Sequence, residues 1–314
     1  MDKAPRVSVV IPTFNSARYL GLTLDSILGQ TNGDLEVVLY DDGSSDNTLE
    51  ISDAYAMRDP RVRVVRGAHV GIAQARNNGF AATNPRSEFV TFFDHDDVWE
   101  KDAVELLVSA LEAHPECPAA HGVCRCIDSD GELIPGDDHA DNVRHRSAVV
   151  GERVAPIPQS APTSFGAVLV KNYITTPGTS LVRRTAFQRV GGFEASTVPC
   201  DDWDMNLRIA RLGDFAFVDK ILLNWRRHAG ATSNLSKRWR TAYMLTRKRS
   251  VLARENSAEQ RQIALCALRD EVVGLQREAV GQVRSGSLKT AAKKLARSLL
   301  LGSIYVSGLA PQRA

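Results

Sequence analysis

Short apolar runs alternate with amphipathic stretches through the first hundred residues. Val7-Ser8-Val9-Val10-Ile11, Glu36-Val37-Val38-Leu39-Tyr40, Val62-Arg63-Val64-Val65 and Phe89-Val90-Thr91-Phe92-Phe93 are rich in β-branched and aromatic residues and have the length of strands buried on both faces. Between them, 17–30 sets Leu20, Leu24, Ile27 and Leu28 on one helical face, 48–57 follows a Ser/Asp-rich helix start, and 71–82 and 102–113 complete four predicted helices. Alternation at this spacing predicts right-handed crossovers and a mainly parallel sheet covered on both faces, an α/β architecture.

Residues 129–159 lose periodicity and collect Pro, Gly, Asp and His, which predicts a long, mobile loop or lid. Order returns at 166–170 and 179–182, and after the Gly191-Gly192-Phe193 turn a helix is expected over 202–212 and a strand over 215–223. From Leu235 onward strand signals stop and the pattern is helical, with Arg and Lys throughout. The division is therefore an α/β body over 1–235 and a basic helical region over 236–314.

Charge sharpens that division. The net charge is only +2, but residues 1–235 carry 23 Lys and Arg against 32 Asp and Glu, while 236–314 carry 16 against 5. A body of net −9 thus bears a tail of net +11, a split that points to an anionic partner for the tail. A hydrophobic fraction of 43% and a charged fraction of 24% over 314 residues exclude a disordered, collagen-like or disulfide-scaffold chain. The charge-free apolar stretch 298–310 would reach ~20 Å as helix against a ~30 Å hydrocarbon core, so no spanning helix is expected. Met1-Asp2-Lys3-Ala4-Pro5 runs straight into a strand without a signal-peptide pattern, and a cytoplasmic location is expected. The five cysteines, 117, 124, 126, 200 and 266, are odd in number and lack a second Cys/His pair at zinc-finger spacing, so buried reduced thiols are expected.

In a parallel sheet the ligand sits beyond the carboxyl ends of the strands. That rule selects Pro12-Thr13-Phe14-Asn15, Asp41-Asp42-Gly43-Ser44 and Asp94-His95-Asp96-Asp97, three polar loops converging on one edge. Carboxylates crowded into one pocket raise each other's pKa unless a cation joins them. The last cluster therefore reads either as a site for a hard divalent cation completed by phosphates and water, or as a solvated acidic loop capping the next helix.

Val9-Val10-Ile11-Pro12-Thr13-Phe14-Asn15, Asp41-Asp42-Gly43-Ser44-Ser45-Asp46-Asn47-Thr48, Gly71-Ile72-Ala73-Gln74-Ala75-Arg76-Asn77 and Phe93-Asp94-His95-Asp96-Asp97-Val98-Trp99 resemble, in order and spacing, the successive motifs of family 2 glycosyltransferases of the GT-A fold. The resemblance extends through Val190-Gly191-Gly192-Phe193, Asp201-Asp202-Trp203-Asp204 and Trp225-Arg226-Arg227-His228, covering about residues 5–235 and not the tail. It implies a nucleotide-diphosphate sugar donor, Mn²⁺ or Mg²⁺ on the diphosphate, and transfer with inversion to a hydroxyl of a glycan or lipid-linked acceptor in cell-surface polysaccharide synthesis. Pro12, Thr13 and Asn15 would line the nucleoside pocket, Asp41 would accept the base N–H beside Asp42, and Arg76 falls where a basic residue lies near the nucleotide. Asp94 and Asp96 match the DxD-type motif, with Asp96 the direct metal ligand. In that family the general base is the aspartate of a Glu-Asp pair; here the pair is Asp201-Asp202, and the resemblance assigns the role to Asp202. His228, with Ser233 assisting, would contact the diphosphate or complete the metal site. Trp203 and Trp225 read as packing residues or as a platform for an acceptor sugar.

Two other readings use the same residues. A nucleotidyltransferase also combines an α/β sheet with metal-binding acids, but needs a glycine-rich phosphate loop after the first strand, which Pro12-Thr13-Phe14-Asn15 is not. A non-catalytic nucleotide-sugar-binding protein would not need the acids at 96 and 202. In the tail, Leu288, Ala292, Leu295, Leu299, Val306 and Leu309 recur at intervals of three, four or seven, with Lys289, Lys293, Lys294 and Arg297 largely off that face. The pattern suits a helix lying on the inner face of the cytoplasmic membrane. A helix packed on the body has the same spacing.

Overall fold

The computed structural model describes residues 4–230 and 236–309. The strands are β1 (Val7–Thr13), β2 (Leu35–Asp41), β3 (Val62–Arg66), β4 (Phe89–Phe92), β5 (Val98–Trp99), β6 (Ala119–Ile127), β7 (Ser147–Val150), β8 (Arg153–Pro156), β9 (Ser180–Arg183) and β10 (Phe215–Arg226). The helices are α1 (Leu20–Leu28), α2 (Thr48–Arg58), α3 (Ile72–Ala81), α4 (Ala103–Ala113), α5 (His139–Arg144), α6 (Phe165–Val170), α7 (Arg184–Val190), α8 (Asp201–Ala210), α9 (Ser236–Leu252), α10 (Ala258–Arg284) and α11 (Leu288–Leu309).

Eight strands form one sheet in the order β3-β2-β1-β4-β9-β6-β10-β5. β1 pairs in parallel with both β2 and β4, and β6 with β10, while β9 and β5 run antiparallel to their neighbours. All seven residues of β1 are buried, and its period-2 alternation divides them between two cores. Val7, Val9 and Ile11 join Leu20, Leu24, Leu107 and Leu111 of α1 and α4 on one face; Val10 joins Ala73 of α3 and Leu207 of α8 on the other. At Gly79 a Cβ would come within 2.5 Å of Val10 Cγ1. The missing side chain lets α3 lie close against the sheet, with Arg76 one turn earlier.

Two elements depart from the pattern. β6 (AAHGVCRCI) lacks a β-branched run and carries no strand signal in the sequence, yet it pairs with β9 and β10 inside the sheet. The small Gly122 is required there because a Cβ would meet Leu222 at 2.3 Å. The segment expected as a mobile loop contains α5 and the β7-β8 hairpin. Its organiser is Arg146, fully buried, whose guanidinium donates to the carbonyls of Val143 (2.9 Å), Gln159 (3.1 Å) and Ala161 (2.6 Å) and lies 3.5 Å from the centre of the Phe217 ring. An ordered loop held by one buried cation leaves no hydrophobic period to read.

The basic helices pack on the body. Ala242, Val251, Leu265, Leu268, Leu301 and Ile304 belong to the same core as Phe92 and Trp203. Glu271 of α10 accepts from Tyr243 and Arg247 of α9 and from Arg297 of α11. Burial pushes its carboxyl up, but Arg247 and the Tyr243 hydroxyl outweigh this and hold it below the usual range. Part of the positive surplus is thus neutralised within the chain. On α11 the buried residues are Ala291, Ser298, Leu301, Ile304 and Gly308, a face distinct from the expected stripe, whose Leu288, Ala292, Leu295, Leu299, Val306 and Leu309 are all exposed. Among the described residues no helix is long and apolar enough to cross a membrane. All five cysteines are free and buried, as expected.

Candidate active site

The loops after β1, β2 and β4 gather at one edge of the sheet. Asp41 ends β2, and its carboxylate accepts from the Thr13 hydroxyl (3.2 Å), the N–H groups of Gly43 (3.2 Å) and Ser44 (3.0 Å), and the Ser44 hydroxyl. Four donors from two loops thus hold this carboxylate in place. Asp42 turns to the next loop, accepting from the Val70 and Gly71 N–H groups at 2.8 Å each and fixing the start of α3. Asn15, at φ 51°, accepts from the Ser45 N–H at 2.8 Å and ties the first loop to the second. Pro12 is buried within β1 opposite Tyr40. Phe14 and His69, with ring centres 4.4 Å apart, add an aromatic pair that sequence reasoning missed, because an isolated aromatic in a loop carries no period.

Arg76 is buried and bridges two acids. Its Nη1 donates to Asp201 Oδ2 and its Nη2 to Asp94 Oδ1, both at 2.7 Å. Burial opposes the charged form, but Asp94 and Asp201 raise the guanidinium pKa above its ordinary value. Both arms of the fork are held by carboxylates of the chain, which makes Arg76 a brace between two motifs.

Within Asp94-His95-Asp96-Asp97 the acids have separate surroundings. Asp97 is fully buried, accepting from the Arg226 N–H and the Thr176 hydroxyl at 2.9 Å each. Burial, with Asp96 and Asp94 beside it, pushes its pKa well above the carboxylate range. Asp96 Oδ2 lies 2.7 Å from His228 Nε2, joining two of the residues expected at a metal. Among the described residues no three His, Cys, Asp or Glu side chains form a group able to hold a metal ion by themselves. The donor set fits a hard cation that takes most of its ligands from diphosphate oxygens and water. Ser233 lies outside the described residues.

Asp94, Asp96, Asp201 and Asp202 share one cavity of about 500 Å³. α8 begins at Asp201, which is buried and ion-paired to Arg76. Asp202 accepts from the Trp203 N–H at 2.7 Å and from Asn172 Nδ2 at 3.3 Å. Burial and then the charge of Asp201 push Asp202 up to about 7, with Arg76 and the Trp203 N–H partly offsetting them. Trp203 is a packing residue whose Nε1 donates to the Val168 carbonyl at 2.8 Å, though it also touches the cavity, and Trp225 lines it too. Asn172, Thr176, Trp239 and Tyr243 are among its other lining residues and were not foreseen. The first two come from a stretch without motif, whereas the i, i+4 aromatic pair on α9 was visible in the sequence.

A family model described as Glycosyl transferase family 2 matches residues 8–191. The hyaluronan synthase of Pasteurella multocida is 28% identical over 233 residues, 74% of this chain and 22% of that protein. A chondroitin synthase of Escherichia coli is 29% identical over 233 residues, 74% of this chain and 30% of that protein. The chain therefore spans less than a third of these relatives. Among solved structures, S. aureus TarS 1-349 in complex with UDP-GlcNAc superposes with a TM-score of 0.65 at 16% identity, covering 93% of this chain and 90% of that one. The mannosyltransferase PcManGT from Pyrobaculum calidifontis, in complex with GDP-Man and Mn²⁺, gives 0.56 at 19% identity, covering 99% and 89%. The fold is of the GT-A type. This chain belongs to glycosyl transferase family 2.

Proposed function

We propose that the chain transfers a sugar from a nucleotide-diphosphate donor to a hydroxyl of a glycan or lipid-linked acceptor, with inversion, in the synthesis of a cell-surface polysaccharide. The observation that carries this is Asp202. It faces the same cavity as Asp94 and Asp96 and is oriented by Asn172 and the Trp203 N–H, and burial beside Asp201 pushes its carboxyl up to about 7, a range suited to accepting a proton near neutrality. Direct displacement needs one such base and no protein nucleophile. Asp201, paired to Arg76, holds the start of α8 in place beside the base.

Thr13, Asn15 and Asp41 would receive the nucleoside, with Pro12 behind them and Asp42 shaping the loop. Asp96, Asp94 and His228 would hold Mn²⁺ or Mg²⁺, whose chemistry is to neutralise charge on the departing diphosphate. The body over 1–235 would carry this machinery, and α9 adds Trp239 and Tyr243 to the cavity wall, where they would face the acceptor. The exposed stripe of α11 and the net positive charge of the region support peripheral contact with an anionic membrane, where a lipid-linked acceptor resides.

A panel of UDP-, GDP- and dTDP-sugars with Mn²⁺, followed by nucleoside-diphosphate release and by the anomeric configuration of the product, tests the proposal. One donor should be consumed with inversion. Retention of configuration would overturn the single-base mechanism.

A further inference from the structure

A second cavity, of about 600 Å³, lies among α7, α8 and α9. Five cationic side chains line it, Arg189, Arg208, Arg211, Lys248 and Arg249, against two acids, Asp204 and Glu255. Asp204 is shared: it accepts from Arg208 Nε at 2.8 Å and from Arg249 Nε at 2.9 Å. Arg211 donates to neutral oxygens, Asn256 Oδ1 at 2.7 Å and the Ser250 carbonyl at 3.3 Å.

Arg249 also pairs with Glu194 at 3.4 Å and Arg208 Nη1 donates to the Val190 carbonyl at 2.7 Å, so among the described residues five cations still face three acids. Burial holds Arg211 down to about 10, and Arg208 and Arg249 push it the same way against Asp204 and Glu255. Independently, Arg208 Nη2 is buried with no hydrogen-bond partner among the described residues, although such a group ordinarily finds one. Apart from Ser250 the remaining wall is apolar, with Val190, Leu207, Leu212 and Leu245 among it. Forked guanidinium donors suit phosphate oxygens, and a phosphate monoester brings about −1.5 to −2 charges and three acceptors.

We propose that this cavity binds a phosphate- or diphosphate-bearing ligand, separate from the donor nucleotide. Asp202 and Arg208 lie on the same helix, six positions and so about 9 Å apart along its axis. The inference does not depend on the reaction proposed for the donor cleft.

The test is calorimetric titration of the full chain with inorganic diphosphate and with geranyl diphosphate, in chelator and without nucleotide. Both should bind saturably. Arg208→Gln should weaken binding at least ~10-fold, the loss of a charge-assisted hydrogen bond. The double variant Arg189→Gln, Lys248→Gln alters two exposed side chains and leaves the fold intact, so it reads the site even where Arg208→Gln fails to fold; a loss of at least ~3-fold is expected. Geranyl diphosphate binding ~10-fold tighter supports a ligand whose phosphate heads a lipid chain, and equal affinities support a free phosphate compound. Absence of saturable binding below about 1 mM, or wild-type affinity in the double variant, overturns the site.

Discussion

Arg76 and Asp201, 125 residues apart in the chain, meet at 2.7 Å through Nη1 and Oδ2. Because the other arm of the same guanidinium holds Asp94, α3 and α8 fix each other and the loop after β4. Removing the cation leaves the buried Asp201 and the partly buried Asp94 without their shared partner. Arg76→Ala should therefore lower stability by about 3–5 kcal/mol, and Arg76→Lys, a point charge without the planar fork, should recover only part of it. Urea denaturation midpoints of the three proteins measure this.

Asp202 must be a carboxylate to accept a proton. With its pKa raised to about 7, the rate should climb as pH rises through that value and level off above it. Asp202→Asn should keep donor affinity, lose at least ~10²-fold in rate and show no such limb. Initial rates of nucleoside-diphosphate release across the pH range decide. A wild-type rate in Asp202→Asn beside a dead Asp201→Asn would move the base to Asp201.

Asp96 and His228 face each other at 2.7 Å. If they bind the diphosphate through a shared cation, Asp96→Ala should abolish the Mn²⁺-dependent part of nucleotide-diphosphate affinity and His228→Ala should weaken it. Calorimetry with and without Mn²⁺ reads both, and unchanged metal dependence in Asp96→Ala would remove it from the site.

On α11 two leucines should behave oppositely. Leu301 is fully buried, so Leu301→Ala should cost about 2–5 kcal/mol and lower the melting temperature. Leu299 is 74% exposed, so Leu299→Asp should leave melting unchanged while reducing co-sedimentation with anionic vesicles. In the unaltered protein that co-sedimentation should weaken with added salt. No vesicle binding at low salt would count against contact with lipid.

The strands that precede the loops, the order of the loops and the acids within them were legible in the sequence, because buried parallel strands announce themselves as apolar runs and the loops follow them directly. β6 and the ordered stretch around Arg146 were not. Their stability comes from small residues fitting a neighbour and from one buried cation capping carbonyls, and neither leaves a period. Likewise, one-dimensional spacing finds an apolar stripe on α11 but cannot say which face meets the body. That depends on where Leu265 and Val251 stand, each 2.8 Å from the place a Cβ at Gly308 would occupy. The partners of Arg76, Asp41 and Asp202 belong to the same category: residue types and motif order suggest the chemistry, while partners from distant elements decide which carboxylate at the cavity is ion-paired and which is not.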